Sequence, residues 1–149
     1  MKPVIENKKA RLEYEFLETF EAGIELFGFE VKALRAGKAS LVGARVVARA
    51  GEAYLVGATV SYYQEKNTPK NYDPERTRRL ILHKKEIAEI GTYEGQKGLT
   101  VIPVMVYNKN NRLKLMVAVA RHKTKRDKRE TLKDRDSKRE LRRTLKNED

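Results

Sequence analysis

Short apolar runs with a period of two follow one another along the chain and are separated by turn-forming residues. This period is typical of strands that bury one face. It occurs around Tyr14–Phe16 and Ile24–Leu26. The strongest strands are predicted at Leu99–Tyr107 and Arg112–Ala120, although Leu99–Tyr107 contains a proline that removes one ladder donor. Between them, Asn108–Asn111 supplies residues that tolerate the positive φ of a hairpin turn.

Two segments have helical spacing instead. Apolar residues three apart, flanked by alanines, predict a short helix at Phe29–Ala36, with Gly37 as its C-terminal stop. The same spacing predicts a second helix at His83–Ile90, ended by Gly91.

The remaining elements point to a small β fold. Two apolar runs, Ala44–Ala50 and Ala53–Val60, are separated by Gly51-Glu52 and predict a hairpin. Lys66–Glu75 is rich in Asn, Asp and Pro and is predicted to be a loop. Short antiparallel strands with two small helices predict a mainly β fold, an antiparallel oligonucleotide-binding-type barrel with short flanking helices. An open sheet with a helix on one face is the alternative.

The C-terminal part has a different pattern. We divide the chain into a barrel domain at residues 1–120 and a basic tail at residues 121–149. The tail is rich in helix formers, but Leu132 lies on the opposite side of a helix from Leu141 and Leu145. A helix without an apolar face has nothing to pack onto a core. We therefore expect the tail to be disordered or frayed when free and helical on a charged surface.

Charge indicates the partner. The net charge is +12, and residues 121–149 hold 13 basic and 7 acidic residues, so half of the excess lies in the tail. A basic body with a more basic tail favours a polyanionic partner, most commonly nucleic acid. The alternative is a protein that is merely basic and soluble.

Composition also narrows the function classes. The absence of cysteine excludes disulfides, thiol nucleophiles and cysteine-ligated zinc. We find no secretory signal and no apolar stretch of the roughly 20 residues that a membrane helix needs, and we expect a cytoplasmic protein without a membrane partner. His83 and His122 are far apart in the sequence, and no phosphate loop or paired carboxylates stand out. We expect no enzyme, no metal and no cofactor.

Three clusters of cations could bind phosphates, although each could equally be a solvated face. Tyr62, Tyr63 and Tyr72 could stack on bases or close one end of the barrel. These residues predict nucleic-acid binding without distinguishing RNA from DNA. The clusters are Lys8/Lys9/Arg11, Lys32/Arg35/Lys38 and Arg76/Arg78/Arg79.

Several sequence blocks occur together in a characteristic order. Any one of them alone would be a weak signal, but the set runs from about Pro3 to Leu145 and resembles the SsrA-binding protein family. The blocks are Asn7–Arg11, Glu21–Ile24 followed by Glu30–Ala39, Asp73–Lys84, Lys97–Pro103 and Asp127–Glu130.

The resemblance implies a function. Members of this family bind the tRNA-like domain of transfer-messenger RNA and deliver it to stalled ribosomes for trans-translation. The implied partners are this RNA, the ribosomal decoding centre and messenger channel, and elongation factor Tu indirectly through the charged RNA; the chain would be a monomer. A ribosomal protein or a general single-stranded RNA-binding protein is the alternative.

The resemblance and the cation clusters together give the candidate residues. Glu30 would accept hydrogen bonds from a guanine edge, or it would be a favourable charge in the first turn of its helix. His122, Thr124 and Arg126 depart from the family pattern just before the tail. The expected RNA-binding residues are Asn7, Lys8, Arg11, Glu30, Lys32, Arg35, Lys38, Gly95, Lys97, Gly98, Leu99 and Lys123. The expected ribosome-contacting residues of the tail are Asp127, Lys128, Arg129, Lys133, Arg135, Lys138 and Arg139.

Overall fold

The computed structural model describes residues 3–62, 66, 68–124, 129, 132, 133, 135 and 139. Within residues 3–124 of that part, nine strands and three helices follow one another. They are β1 (Pro3–Glu6), α1 (Lys8–Glu13), β2 (Tyr14–Ile24), α2 (Gly28–Arg35), β3 (Ala39–Ser40), β4 (Arg45–Arg49), β5 (Glu52–Val56), β6 (Thr59–Val60), β7 (Arg78–Ile81), α3 (Lys84–Glu94), β8 (Leu99–Lys109) and β9 (Arg112–His122).

Seven strands form one antiparallel sheet in the order β1-β8-β9-β2-β7-β5-β4, and β3 pairs with β6 in a second, small sheet. The large sheet curls, so that Val46 of β4 joins the same buried cluster as Val101 and Val106 of β8. Helix α3 packs against both β4 and β8. The sheet keeps two edges, β1 and β4, and is therefore an incompletely closed barrel. The mainly β, antiparallel prediction is confirmed.

The β8–β9 hairpin lies inside the large sheet, and its two strands are, together with β2, the longest of that sheet. Its turn needs only Asn110 and Asn111, whose φ angles are 52° and 62°, and Lys109 pairs directly with Arg112. The predicted four-residue turn was too long, because asparagine tolerates the left-handed region that a tight turn requires. Pro103 lies beside a register shift between β8 and β9, where a missing N–H donor disturbs the ladder least.

The hairpin β4–β5 was predicted in outline only. Its turn is Ala50-Gly51, both with positive φ, rather than Gly51-Glu52. The predicted strand Ala53–Val60 is split, since Gly57 has a φ of 84° and redirects the chain from β5 into β6. Strand β6 then pairs with β3 instead of continuing the large sheet.

The two predicted helices exist, but one prediction of a helix end was wrong. Helix α2 ends close to its predicted stop, and Gly37 has a φ of 76°. Helix α3 continues through Gly91 to Glu94. The added turn is held by a carboxylate of Glu94 that accepts from the N–H of Ala48 at 3.1 Å, and by Tyr93, which donates to Glu18 at 2.7 Å. Such long-range contacts overcome the low helix propensity of one glycine.

None of the helices in the described part of the chain is long and apolar enough to cross a membrane. Among the same residues, no group of three or more His, Asp or Glu side chains is placed to hold a metal ion.

Candidate nucleic-acid interface

The predicted site residues form two groups near opposite ends of the β8–β9 hairpin. In the first group, Lys123 donates from Nζ to the carbonyl of Arg11 at 3.2 Å, and Leu99 pairs with Arg121. These contacts bring α1, the loop before β8 and the end of β9 together. In the second group, Arg35 of α2 donates to the carbonyl of Asn111 in the hairpin turn at 3.3 Å.

The first group presents cations on α1 and on the loop before β8. Lys8 and Lys97 are exposed, as are Gly95 and Gly98, and Leu99 is half-buried. Arg11 is also exposed but pairs with Glu6 at 3.1 Å. Beside α1, a cleft of about 290 Å³ is lined by polar and basic side chains, among them Lys9, Arg45 and Thr100. This end of the molecule can contact phosphates.

Asn7 lies in this region, and its side chain is buried within the protein. It is 4% exposed, and its amide nitrogen donates to the carbonyls of Leu41 at 3.3 Å and Pro103 at 3.1 Å. Its side-chain oxygen accepts from the N–H of Ala10 at 3.2 Å, which caps α1. Asn7 therefore fixes α1 to β8 and positions the cations that α1 carries, while its direct contact with RNA stays a prediction.

Replacing Asn7 with aspartate should lower the free energy of unfolding by about 3 kcal/mol, because a carboxylate would face two buried carbonyl oxygens. Chemical denaturation monitored by circular dichroism measures this change. Asn108→Asp is the matched control, since Asn108 is exposed and its variant should stay within about 0.5 kcal/mol of the parent. Equal midpoints for Asn7→Asp and the parent would contradict the anchoring role.

Glu30 is the centre of a buried hydrogen-bond network in the second group. Its side chain is fully buried and accepts from Tyr72 at 2.7 Å and from two nitrogens of Arg78 at 2.7 and 3.0 Å. It also accepts from two nitrogens of Arg76 and, at 2.8 Å, from the N–H of Phe27. Both carboxylate oxygens are thereby occupied. This gives Glu30 a structural role in the chain without RNA, and its contact with a guanine stays a prediction.

The network keeps Glu30 ionised. Burial alone would raise the pKa of its carboxyl, but the hydrogen bonds from Arg76, Phe27, Tyr72 and Arg78 outweigh burial and lower the pKa to about 2. Burial and the hydrogen bond to Glu30 raise the pKa of Tyr72 to about 12. The alternative for Glu30, a charge in the first turn of α2, describes part of what the structure shows. Its larger role is to join α2 to the segment before β7.

The arginine cluster at the start of β7 is engaged mainly by the protein itself. Arg78 is 1% exposed and donates to the carbonyls of Ala58 and Pro74 as well as to Glu30. Arg79 pairs with Glu25 at 2.9 Å and Glu52 at 3.0 Å. The interpretation as a phosphate site was wrong for Arg78, which is buried, whereas the partly exposed guanidinium of Arg79 is paired with two of the protein's own carboxylates.

Helix α2 still presents cations to the outside. Lys32, Arg35 and Lys38 are all exposed. Two aromatic residues beside them, Phe27 and Phe29, were not predicted as site residues. The sequence signal that could have identified these two residues is an aromatic side chain at the start of a predicted helix, next to charged residues.

From residue 121 onward, all of the described residues except the half-buried Lys123 are exposed. His122 packs its ring against Tyr14, with centroids 4.2 Å apart. The predicted contacts Arg129, Lys133, Arg135 and Arg139 have helical backbone and exposed side chains. Asp127, Lys128 and Lys138 lie outside the described residues, as do Arg126 and Tyr63.

A curled antiparallel sheet that carries exposed cations on two helices and at the end of a long hairpin defines an oligonucleotide-binding type of protein. A family model described as SmpB protein matches residues 4–147. The chain belongs to the SmpB protein family, and the family prediction is confirmed.

Individual proteins agree with this assignment. The SsrA-binding protein of Microcystis aeruginosa is 44% identical over 146 residues, which cover 98% of this chain and 95% of that protein. The SsrA-binding protein of Chlorobaculum tepidum is 48% identical over 138 residues, covering 92% and 87%. A solved structure described as "tmRNA-SmpB: a journey to the center of the bacterial ribosome" is 40% identical with a TM-score of 0.68, covering 88% of this chain and 95% of that one.

Proposed function

We propose that this chain binds the tRNA-like domain of transfer-messenger RNA and delivers it to stalled ribosomes for trans-translation. The observation that carries the proposal is the match over nearly the whole chain to proteins named for SsrA binding. A similar solved structure is described as tmRNA-SmpB on the bacterial ribosome, and it supports both the RNA and the ribosome as partners.

The geometry supports an extended RNA ligand. Exposed cations near both ends of the hairpin can meet backbone phosphates at two separate places. Two separate contacts can fix the orientation of a folded RNA, which one contact cannot. We assign the first contact to Lys8, Lys97 and Lys123, and the second to Lys32 and Lys38.

The remaining parts of the proposal concern the ribosome. Residues 121–149 would act as a separate tail, with Arg129, Lys133, Arg135 and Arg139 contacting ribosomal RNA in the decoding centre and messenger channel. Elongation factor Tu would meet the chain only through the charged RNA. The chain would work as a monomer in the cytoplasm, and its role would be binding without catalysis.

A reconstituted translation reaction on a message without a stop codon tests the proposal. With transfer-messenger RNA present, adding the protein should convert the stalled peptide into a tagged product of higher mass. Omitting either the protein or the RNA should leave the peptide untagged. Tagging that does not depend on the protein would contradict the proposal.

A further inference from the structure

An open aromatic pocket lies beside the Glu30 network. It has a volume of about 420 Å³, and its apolar walls are Phe27, Phe29, Tyr72 and Pro69. Asn71, Asp73 and Arg76 complete the lining and provide polar groups. We call this the Phe27 pocket.

The rings of the Phe27 pocket form a connected cluster with one open face. The Phe27 and Phe29 centroids are 5.5 Å apart, and the Phe29 ring meets Tyr72 edge-on at 4.8 Å. Phe27 is nevertheless 50% exposed. Single exposed apolar side chains are common, but an exposed ring that opens a concave aromatic cluster marks a binding site.

The pocket is held in shape by the buried network. The guanidinium carbon of Arg76 lies 4.1 Å from the centroid of Phe27, in a cation–π contact. Arg76 is itself fixed by Glu30, and the same carboxylate accepts from the N–H of Phe27. Both the ring and the cation that covers one of its faces are therefore set before any ligand arrives, which reduces the ordering cost of binding.

Charges around the pocket favour a polyanion. Lys32 lies three residues after Phe29 on α2, which places the two on neighbouring positions of one helix face, and it is exposed. Lys70 is exposed between two residues that line the pocket, Pro69 and Asn71. A nucleotide whose base enters the pocket would thus have these lysines beside it to bind its phosphates. An apolar peptide would gain nothing from the two lysines.

We propose that the exposed ring of Phe27 in the Phe27 pocket stacks with one unpaired base of the bound RNA, an inference that rests on the proposed function.

 The occupant of the Phe27 pocket would be a base turned out of its helix or loop, because every base has a π-face and stacking on an aromatic ring needs no particular base. Asn71 and Asp73 at the rim would hydrogen-bond the edge of that base, and Lys32 and Lys70 would meet the neighbouring phosphates.

Fluorescence tests the stacking directly, because the chain has no tryptophan. The full-length Phe27→Trp variant would carry a single indole in the pocket, and its emission should be quenched when the unlabelled tRNA-like domain is added to saturation. Leu17→Trp is the matched control, since Leu17 is 47% exposed on β2 and lies outside the pocket, and its emission should not change. Anisotropy of a labelled tRNA-like domain reports binding independently in the same titration.

Affinity gives a second readout. Phe27→Leu keeps an apolar side chain but removes the π-face, and it should weaken binding of the tRNA-like domain at least 5-fold, whereas Phe27→Trp should bind within 2-fold of the parent. The lower bound corresponds to the roughly 1 kcal/mol at the low end for base–aromatic stacking. Thermal unfolding of each variant shows that the fold is retained.

The outcomes separate the two proposals. RNA binding with no quenching at position 27 and an unchanged affinity for Phe27→Leu would overturn the stacking proposal and leave the proposed function intact. Quenching that requires ribosomes, and is absent with the RNA alone, would assign the pocket to a ribosomal partner and would also overturn it. Failure of the parent chain to bind the tRNA-like domain would overturn both proposals.

Discussion

Replacing Glu30 with glutamine should lower the free energy of unfolding by about 3–5 kcal/mol, the cost of removing one partner from a buried ion pair. The neutral amide would leave the guanidinium of Arg78, which is 1% exposed, without a negative charge. The NH₂ group of the glutamine would also face the N–H and O–H donors of Arg78 and Tyr72, from which the Glu30 carboxylate now accepts hydrogen bonds. Denaturant unfolding monitored by circular dichroism measures the loss.

Glu86→Gln is the matched control for this prediction. Glu86 occupies the same third position of α3 and accepts from the N–H of His83 at 3.0 Å, but it has no buried arginine beside it. Its replacement should cost less than about 1 kcal/mol, because glutamine can keep the cap. A Glu30→Gln variant that unfolds at the parent midpoint and yet fails to bind RNA would contradict the structural role, and would return Glu30 to a direct RNA contact.

The same substitution has a consequence for pH dependence. The pKa of the Glu30 carboxyl is about 2 in the folded chain and 4.5 in the unfolded chain. The unfolded chain therefore binds more protons at pH values between these two. The stabilisation from Glu30 is therefore complete above about pH 5 and is lost as the pH falls toward 2. At about 1.4 kcal/mol per pKa unit, this amounts to about 3 kcal/mol. Between pH 6 and 3 the parent should lose more stability than Glu30→Gln, and equal losses would contradict this assignment.

Removing residues 127–149 should leave binding of the tRNA-like domain within a few-fold of the full chain while abolishing peptide tagging. This segment holds nine basic and seven acidic residues, so its removal takes away a net charge of only +2 out of +12. The basic run at residues 121–126 and the exposed cations of α1 and α2 remain. The salt-dependent part of the affinity for RNA depends on the number of cations that contact phosphates, so most of this affinity should be retained. Gel shift and the reconstituted tagging reaction measure the two activities separately.

A shuffled tail distinguishes recognition from charge. A variant that keeps the composition of residues 127–149 in a different order has the same net charge, and the account expects it to bind RNA and fail to tag. Normal tagging by the shuffled chain would mean that the tail is only a charged tether.

Local patterns in the sequence predict most of the fold. The β8–β9 hairpin follows from two long apolar runs with asparagines between them, and α2 follows from its spacing and from Gly37. The end of α3 could not be predicted, because Glu94 and Tyr93 hold the last turn through Ala48 and Glu18, far away in the sequence. Local propensity at Gly91 could not reveal those contacts.

The site is less predictable than the fold, for a similar reason. Glu30 meets Tyr72 and Arg78 across 42 and 48 residues, so neither its burial nor its partners are visible from its neighbours. The sequence shows three arginines around the start of β7 but not the carboxylates that pair with them. Two of the sequence blocks that carry the family resemblance do meet in this network, however. Glu30–Ala39 contains the carboxylate, and Asp73–Lys84 contains the arginines that donate to it.

The most direct test of the proposed function is a competition titration at about 0.15 M salt, where weak surface electrostatics are already screened. The labelled tRNA-like domain of transfer-messenger RNA, bound to the full-length protein, is displaced by the unlabelled domain or by ordinary alanine tRNA. The account predicts that alanine tRNA competes far less well than the unlabelled domain, because the chain recognises the particular shape of that domain. Equal competition by both RNAs, with an affinity that falls steeply as salt is added, would contradict it and would identify a general cationic RNA-binding protein.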